Sequence, residues 1–287
     1  MRKLIVNEKY NNKKLSNFIL DNFKNLSSNT FYKTLRKKDI RINGIKISEN
    51  ITVHTNDIIS IYLTDEILYG NSINIDVIYE DNNILVVNKP ENISVTEDIS
   101  STYTLTTLMK EKFDKNLEPC HRLDRNTSGL VLFAKNKESL DILLKKFKNK
   151  EIEKHYLATV YGIPKKEHAI LTDYLFKDSK KSLVYISNIP KKNYLEIITE
   201  YTLVSKNIQD NTSVLDINLH TGRTHQIRAH LAYIGLPIIG DGKYGNNEIN
   251  KKFNKKTQML TSYYLKFNFS TDSGILNYLK NKEIKIS

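Results

Sequence analysis

Cysteine is nearly absent from this sequence: Cys120 is the single one in 287 residues. No disulfide can form within the chain, and the composition points to a reducing, cytoplasmic setting. Long apolar runs are also missing. None approaches the roughly 20 residues that cross a bilayer, and the opening MRKLIVNEKY breaks off at Asn7 and Glu8, too early for a secretory signal. Acidic residues are in deficit, with 32 Asp and Glu against 44 Lys and Arg, a formal net charge of +12. That surplus favours a polyanion as partner, and without a membrane segment the expected polyanion is nucleic acid.

Several common chemistries lack their residues as well. His121, His225 and His230 with Cys120 fit no common zinc spacing, and the arginines beside them would repel a cation. No glycine-rich phosphate loop is present, and Ser128 has no Gly-x-Ser-x-Gly elbow around it. Glycosidic hydrolysis normally uses two carboxylates, and the motifs described below contain one. There is no internal repeat and no low-complexity segment.

The apolar share of 39% and aromatic share of 9% fit a folded protein large enough for one big domain or two smaller ones. Residues 14–62 form a first unit. KLSNFILDNF sets Leu15, Phe18 and Ile19 at helical spacing with Phe23 a turn beyond, and SSNTFYKTLRKK offers Ser27 or Ser28 as the cap of a second helix. IRINGIKI alternates on both sides of Asn43-Gly44, a dipeptide that accepts the positive dihedrals of a tight hairpin turn, and DIISIYL supplies a further strand. A charge run such as LRKKDIRINGIKI is usually a solvated face. The order helix, helix, hairpin, strand nevertheless resembles the small RNA-binding domain first named from a small-subunit ribosomal protein. By that resemblance Arg36, Lys37, Lys38, Arg41 and Lys46 would meet RNA phosphates. Asn56-Asp57 stands where that family usually has Gly-Asp, and the first helix lacks its usual Arg and Asp.

The expected division is an RNA-binding domain over 1–64, a polar linker over 65–74 and a larger domain over 75–287. In the larger part Asp81-Asn82-Asn83 marks a turn between apolar runs, and Pro90 ends the second run. KESLDILLKKFKNK reads as a helix with Leu140, Leu143, Leu144 and Phe147 along one face. HYLATVYG, YLEIITEYTLV and SVLDINL read as strands. The expected class is α+β, built on a mixed, mainly antiparallel sheet.

Three stretches set polar residues beside apolar strands: HRLDRNTSGLVLFAKN, EKHYLATVYG and HTGRTHQIRAHLAYIGLPIIGDGKYG. In the first, Asp124 lies between Arg122 and Arg125, which favour its ionised form. A buried arginine could grip it at two points. A charged, oriented carboxylate can act as nucleophile or base toward a sugar. Taken alone, such an aspartate is more often a structural ion pair than a catalytic group. Together, in this order and with the Asn88-Lys89-Pro90 stretch upstream, the three motifs resemble the RluA family of RNA pseudouridine synthases over about residues 75–287.

The resemblance implies isomerisation of uridine to pseudouridine, with Asp124 attacking the anomeric carbon or removing the neighbouring sugar proton. The uracil is then freed, turns and rejoins through a ring carbon. The broken and formed bonds balance within one nucleotide, so no metal or other cofactor is expected. Tyr156 matches the tyrosine that stacks on the flipped base and assists proton removal, a catalytic role, although a strand tyrosine is ordinarily a half-buried packing residue. Arg228 matches the arginine paired with the catalytic carboxylate, Ile227 would pack by the base, and Arg122 would fill the space that the flipped nucleotide leaves. Arg125, Arg223 and His225 are candidate phosphate contacts. Asn126 replaces the family's usual aspartate, and NKPENISVTE lacks a common histidine, departures that bear on substrate choice. The expected substrate is large-subunit ribosomal RNA ahead of transfer RNA, acted on by a monomer. A non-catalytic ribosome-assembly factor on the same fold is the alternative, but a pure binder has no use for an aspartate facing phosphates.

Overall fold

A computed structural model describes residues 2–23, 25–63, 67–68, 75–96 and 104–286. The chain forms two compact units, Met1–Asn74 and Ile75–Ser287.

In the first unit the strands are β1 (Arg2–Ile5), β2 (Lys13–Lys14), β3 (Ile40–Ile42), β4 (Ile45–Ile47), β5 (Thr52–Val53) and β6 (Ile58–Ile61). They make a four-stranded sheet in the order β1-β6-β3-β4 and a separate β2-β5 pair. The helices span Leu15–Asn22 and Ser28–Arg36, and the Ser27 side chain caps the second by accepting from the Thr30 N–H. Between β3 and β4, Asn43 and Gly44 both take positive φ, the geometry that lets a two-residue turn follow the strand twist. Phe18, Ile19, Phe31 and Leu35 from the helices bury against Ile40, Ile42, Ile59 and Ile61 from one sheet face. The sequence pattern did not suggest β1, because Leu4-Ile5-Val6 do not alternate; its antiparallel pairing to β6 makes it a strand. Leu68, expected in a linker, is fully buried in this core and Ile67 beside it is exposed, while 65–66 and 69–74 lie outside the described residues.

The second unit carries one large sheet. Its strands are β7 (Asp76–Glu80), β8 (Ile84–Lys89), β9 (Glu118–Pro119), β10 (Ser128–Ala134), β11 (Ile152–Tyr161), β12 (His168–Asp178), β13 (Leu183–Ser187), β14 (Leu195–Asn207), β15 (Thr212–Leu219), β16 (Leu260–Phe267) and β17 (Glu283–Lys285). The order is β13-β12-β14-β15-β11-β16-β10-β8-β7, with β17 on β16 and β9 on β10. The β10–β16 pairing is parallel and the other pairings are antiparallel, so the sheet is mixed and mainly antiparallel, as expected. Gly129 makes the parallel contact possible: a side chain there would sit on the Ser262 backbone.

Asn136 caps the helix Lys137–Lys148. Leu143 is buried, with Leu140 and Phe147 packed beside it, but Leu144 is 46% exposed. At 100° per residue Leu144 lies at the edge of the stripe, about 40° beyond Leu140, and that edge faces solvent, which corrects the sequence pattern. At its far end Lys146 forms a buried 2.8 Å ion pair with Glu151, joining this helix to the start of β11. Helix Gln226–Tyr233, within the third polar motif, was not expected. It is buried along nearly its whole length, so it lacks the amphipathic stripe by which surface helices are read.

Candidate active site

Asp124 lies in the loop between β9 and β10, its backbone carbonyl accepting from the Thr127 N–H at 3.0 Å and its side chain 26% exposed. The neighbouring arginines do not hold it. Arg122 is exposed, and Arg125 donates through Nε to the Asn92 carbonyl at 3.1 Å. The partner of Asp124 is Arg228, which donates from Nη1 to Oδ2 at 2.8 Å across 104 residues of sequence. The contact is single. The two-point grip goes instead to Asp241, which accepts Arg228 Nε at 2.7 Å and Nη2 at 2.9 Å.

Asp241 is therefore the residue that sequence reasoning missed. It is fully buried and also accepts the backbone N–H groups of Lys243 at 2.8 Å and Tyr244 at 3.1 Å. Burial alone would raise its carboxyl, but Arg228 and those N–H groups outweigh it and hold the carboxyl below the usual range. Burial alone would likewise favour neutral Arg228; Asp241 and Asp124 together make its cation more secure than usual. Asn250 fixes the turn from below, donating to the Asp241 carbonyl and accepting from the Gly240 N–H. The signal in the sequence was an acid inside GDGKYG, in a chain poor in acids.

Helix Gln226–Tyr233 carries Arg228, and its start is fastened from two sides. The Gln226 amide donates to Ile198 O and Thr199 Oγ1 of β14, while its oxygen accepts from the Arg223 N–H and the Thr221 hydroxyl. His225 takes φ 53° at the helix entry and bonds through Nδ1 to the Tyr244 hydroxyl at 2.8 Å. The Tyr244 ring lies 5.3 Å from the Arg228 guanidinium. Burial pulls the His225 imidazole below its ordinary value, so near neutral pH it is a neutral hydrogen-bonding group rather than a cation. Arg223 is exposed, and Ile227 is buried.

Tyr156 lies buried in β11, next to a register irregularity against β16 between His155 and Tyr156. Such bulges re-aim side chains. Burial raises the Tyr156 phenol well above its ordinary value, and the charge of Asp124 pushes the same way. It is therefore a protonated, neutral ring at physiological pH, suited to stacking and to donating a hydrogen bond, and poorly suited to removing a proton.

Lys89 was noted in the sequence only as part of the Asn88–Pro90 stretch. Its buried ammonium donates to the carbonyls of Pro90 (2.8 Å), Ile93 (2.9 Å) and Arg125 (3.0 Å), tying the turn after β8 to the Asp124 loop. Burial lowers it to about 8, against the opposing pull of Asp124. Lys89→Met would leave these carbonyls without their donor, at about 1–3 kcal/mol for each one that water does not reach. A loss of at least about 2 kcal/mol is expected in urea unfolding of the full chain, and an unchanged midpoint would show that the loop does not depend on Lys89. Among the described residues, no three His, Cys, Asp or Glu side chains gather as metal ligands.

The other predicted cations belong to the first unit. Arg36, Lys37 and Lys38 are exposed at the end of the second helix, whereas Arg41 and Lys46 pair across β3 and β4.

The large sheet, with a carboxylate held in the loop before the interior strand β10 by a braced arginine and a buried tyrosine nearby, has the pseudouridine synthase fold. A human structure, RNA Pseudouridylate Synthase Domain Containing 1, matches with a TM-score of 0.61 and 26% identity, over 71% of this chain and 82% of that one. The family model described as RNA pseudouridylate synthase matches residues 83–233, and the chain belongs to that family, as an RNA pseudouridine synthase. An uncharacterized RNA pseudouridine synthase of Mycoplasma capricolum is 33% identical, over 99% of this chain and 97% of its own length. A protein of Rickettsia bellii named ribosomal large subunit pseudouridine synthase C is 34% identical, over 78% of this chain and 80% of its own length.

Proposed function

We propose that this enzyme converts specific uridines of large-subunit ribosomal RNA to pseudouridine, with Asp124 as the catalytic group. The choice of RNA rests on relatives named for the large ribosomal subunit. The choice of residue rests on one observation: Asp124 is the carboxylate that the Arg228–Asp241 pair orients. In the reaction the bond from N1 of uracil to C1′ of ribose breaks and a bond from C5 to C1′ forms. A proton leaves C5 and one is gained at N1, so nothing enters or leaves overall. Asp124 either adds to C1′ or removes the sugar proton beside it, and Arg228 stabilises its charge in both routes. The target base turns out of the RNA stack to reach Tyr156, and exposed Arg122 fills the gap that it leaves. Arg125, Arg223 and His225 are assigned to the RNA backbone.

Residues 1–64 are proposed as a separate RNA-binding domain, with Arg36, Lys37 and Lys38 on phosphates. Replacing these three by alanine in the full chain should weaken binding at low salt. The slope of log affinity against log salt should fall by about 2–3, one increment for each lost phosphate contact. An unchanged slope would remove these residues from the interface. The reading as a whole is tested by mapping pseudouridine in ribosomal and transfer RNA from cells with and without the protein. It predicts loss at discrete ribosomal positions, and loss confined to transfer RNA would overturn the choice of substrate.

A further inference from the structure

The four-stranded sheet of the first unit buries one face under its helices, and the strand register determines what the other face presents. Lys3, Ser60, Arg41 and Lys46 lie opposite one another on β1, β6, β3 and β4, making one rung across the whole sheet. The next rung on that face pairs Ile5 with Ile58, both exposed. Tyr62, just past β6, is held by its N–H on the Asp39 carbonyl at 2.9 Å and remains 41% exposed. The Arg41 guanidinium lies over the Tyr62 ring at 4.8 Å. Arg41 Nε is buried and has no hydrogen-bond partner among the described residues. Lys3, Arg41, Ile58, Ser60 and Tyr62, with Asn43 and Gly44, line a depression of about 460 Å3 that holds no acid among the described residues, and Lys46 and Ile5 extend the same face beside it.

A merely solvated sheet face would mix charges of both signs with threonine. This one combines three cations, an open aromatic ring, two exposed isoleucines and a guanidinium donor with no acceptor among the described residues. We propose that it is a platform for unpaired RNA: a nucleobase adds to the Arg41–Tyr62 stack, an acceptor on the RNA satisfies Arg41 Nε, and Lys3 and Lys46 take the flanking phosphates. Each contact follows from known chemistry. Bases of any identity stack on aromatic and guanidinium planes, and lysine meets phosphate as a point charge. A paired duplex has no free base face to offer, so the platform selects single-stranded or looped RNA. This surface is distinct from the helix end that carries Arg36, Lys37 and Lys38. It rests on RNA being the substrate, not on which RNA is modified.

The test uses the full chain with two probes, a short oligouridylate and an RNA duplex of the same length, in binding titrations over a salt series. Tyr62→Ala should weaken oligouridylate binding about tenfold, the scale of one lost base stack, and leave duplex binding within about twofold. Tyr62→Phe keeps the ring and should bind like the wild type, which also guards against misfolding as the cause. Lys3→Ala with Lys46→Ala should lower the oligouridylate salt slope by about 1.4, the loss of two single-strand phosphate contacts. Oligouridylate affinity unchanged by Tyr62→Ala, an equal loss on both probes, or a wild type that does not bind oligouridylate would each overturn the platform. Pseudouridine mapping in cells bears on the modified RNA alone, so the two readings can fail separately.

Discussion

Asp124→Asn is expected to abolish turnover while RNA binding survives. The amide has the volume of the carboxylate and its oxygen can still accept from Arg228 Nη1, so the loop should keep its place. What it lacks is the negative charge, and with it both the nucleophile and the base. Removing such a group costs on the order of 10^3-fold or more in rate. Affinity should hold or tighten slightly, because a carboxylate near phosphates repels them. Single-turnover assays at saturating RNA test this directly: a clear residual rate would mean that another group does the chemistry.

Arg228→Lys should lose most of the rate and a substantial part of the stability. The guanidinium serves two carboxylates at once, its Nε and Nη2 on Asp241 and its Nη1 on Asp124. A lysine ammonium is a single charge on a flexible stem and cannot span both. If it stays with Asp124, the fully buried Asp241 is left unpaired, a defect costing about 3–5 kcal/mol. If it moves to Asp241, Asp124 loses its orientation. Rate and urea unfolding measured together follow both effects, and wild-type turnover in a stable variant would show that Arg228 does not position Asp124. Asp241→Asn separates positioning from packing. It touches no RNA in this reading, so the maximal rate should fall while the affinity for RNA stays within about twofold. A change in affinity alone would remove Asp241 from the positioning role.

Much of this protein could be read from its residues in order. Asn43-Gly44 needs only local dihedral preferences to make its hairpin, Ser27 needs only the free helix N–H three residues on, and Leu15, Phe18 and Ile19 mark a face by spacing. The α+β class and the family followed from motifs that are continuous in sequence, and Asp124 could be singled out because a lone acid in a cationic stretch is conspicuous.

What sequence order could not supply is partnership at long range. Arg122 and Arg125 adjoin Asp124 in the chain, yet the loop turns one into solvent and the other toward Asn92. The arginine that Asp124 meets comes from a helix 104 residues away, and that helix is held by an aspartate a further 13 residues on. Lys89 looked like one more lysine in a lysine-rich chain until the fold closed three carbonyls around it. In the first unit the same five cations that formed one basic run divide between a helix end and an open sheet face, because alternate residues of a strand point to opposite sides. The sequence by itself determined which chemical groups are present and the local elements that carry them. Only the tertiary structure decided which charges neutralise one another and which stay open to solvent, because ion pairing depends on distance and burial in space, and neither is encoded in the spacing of residues along the chain.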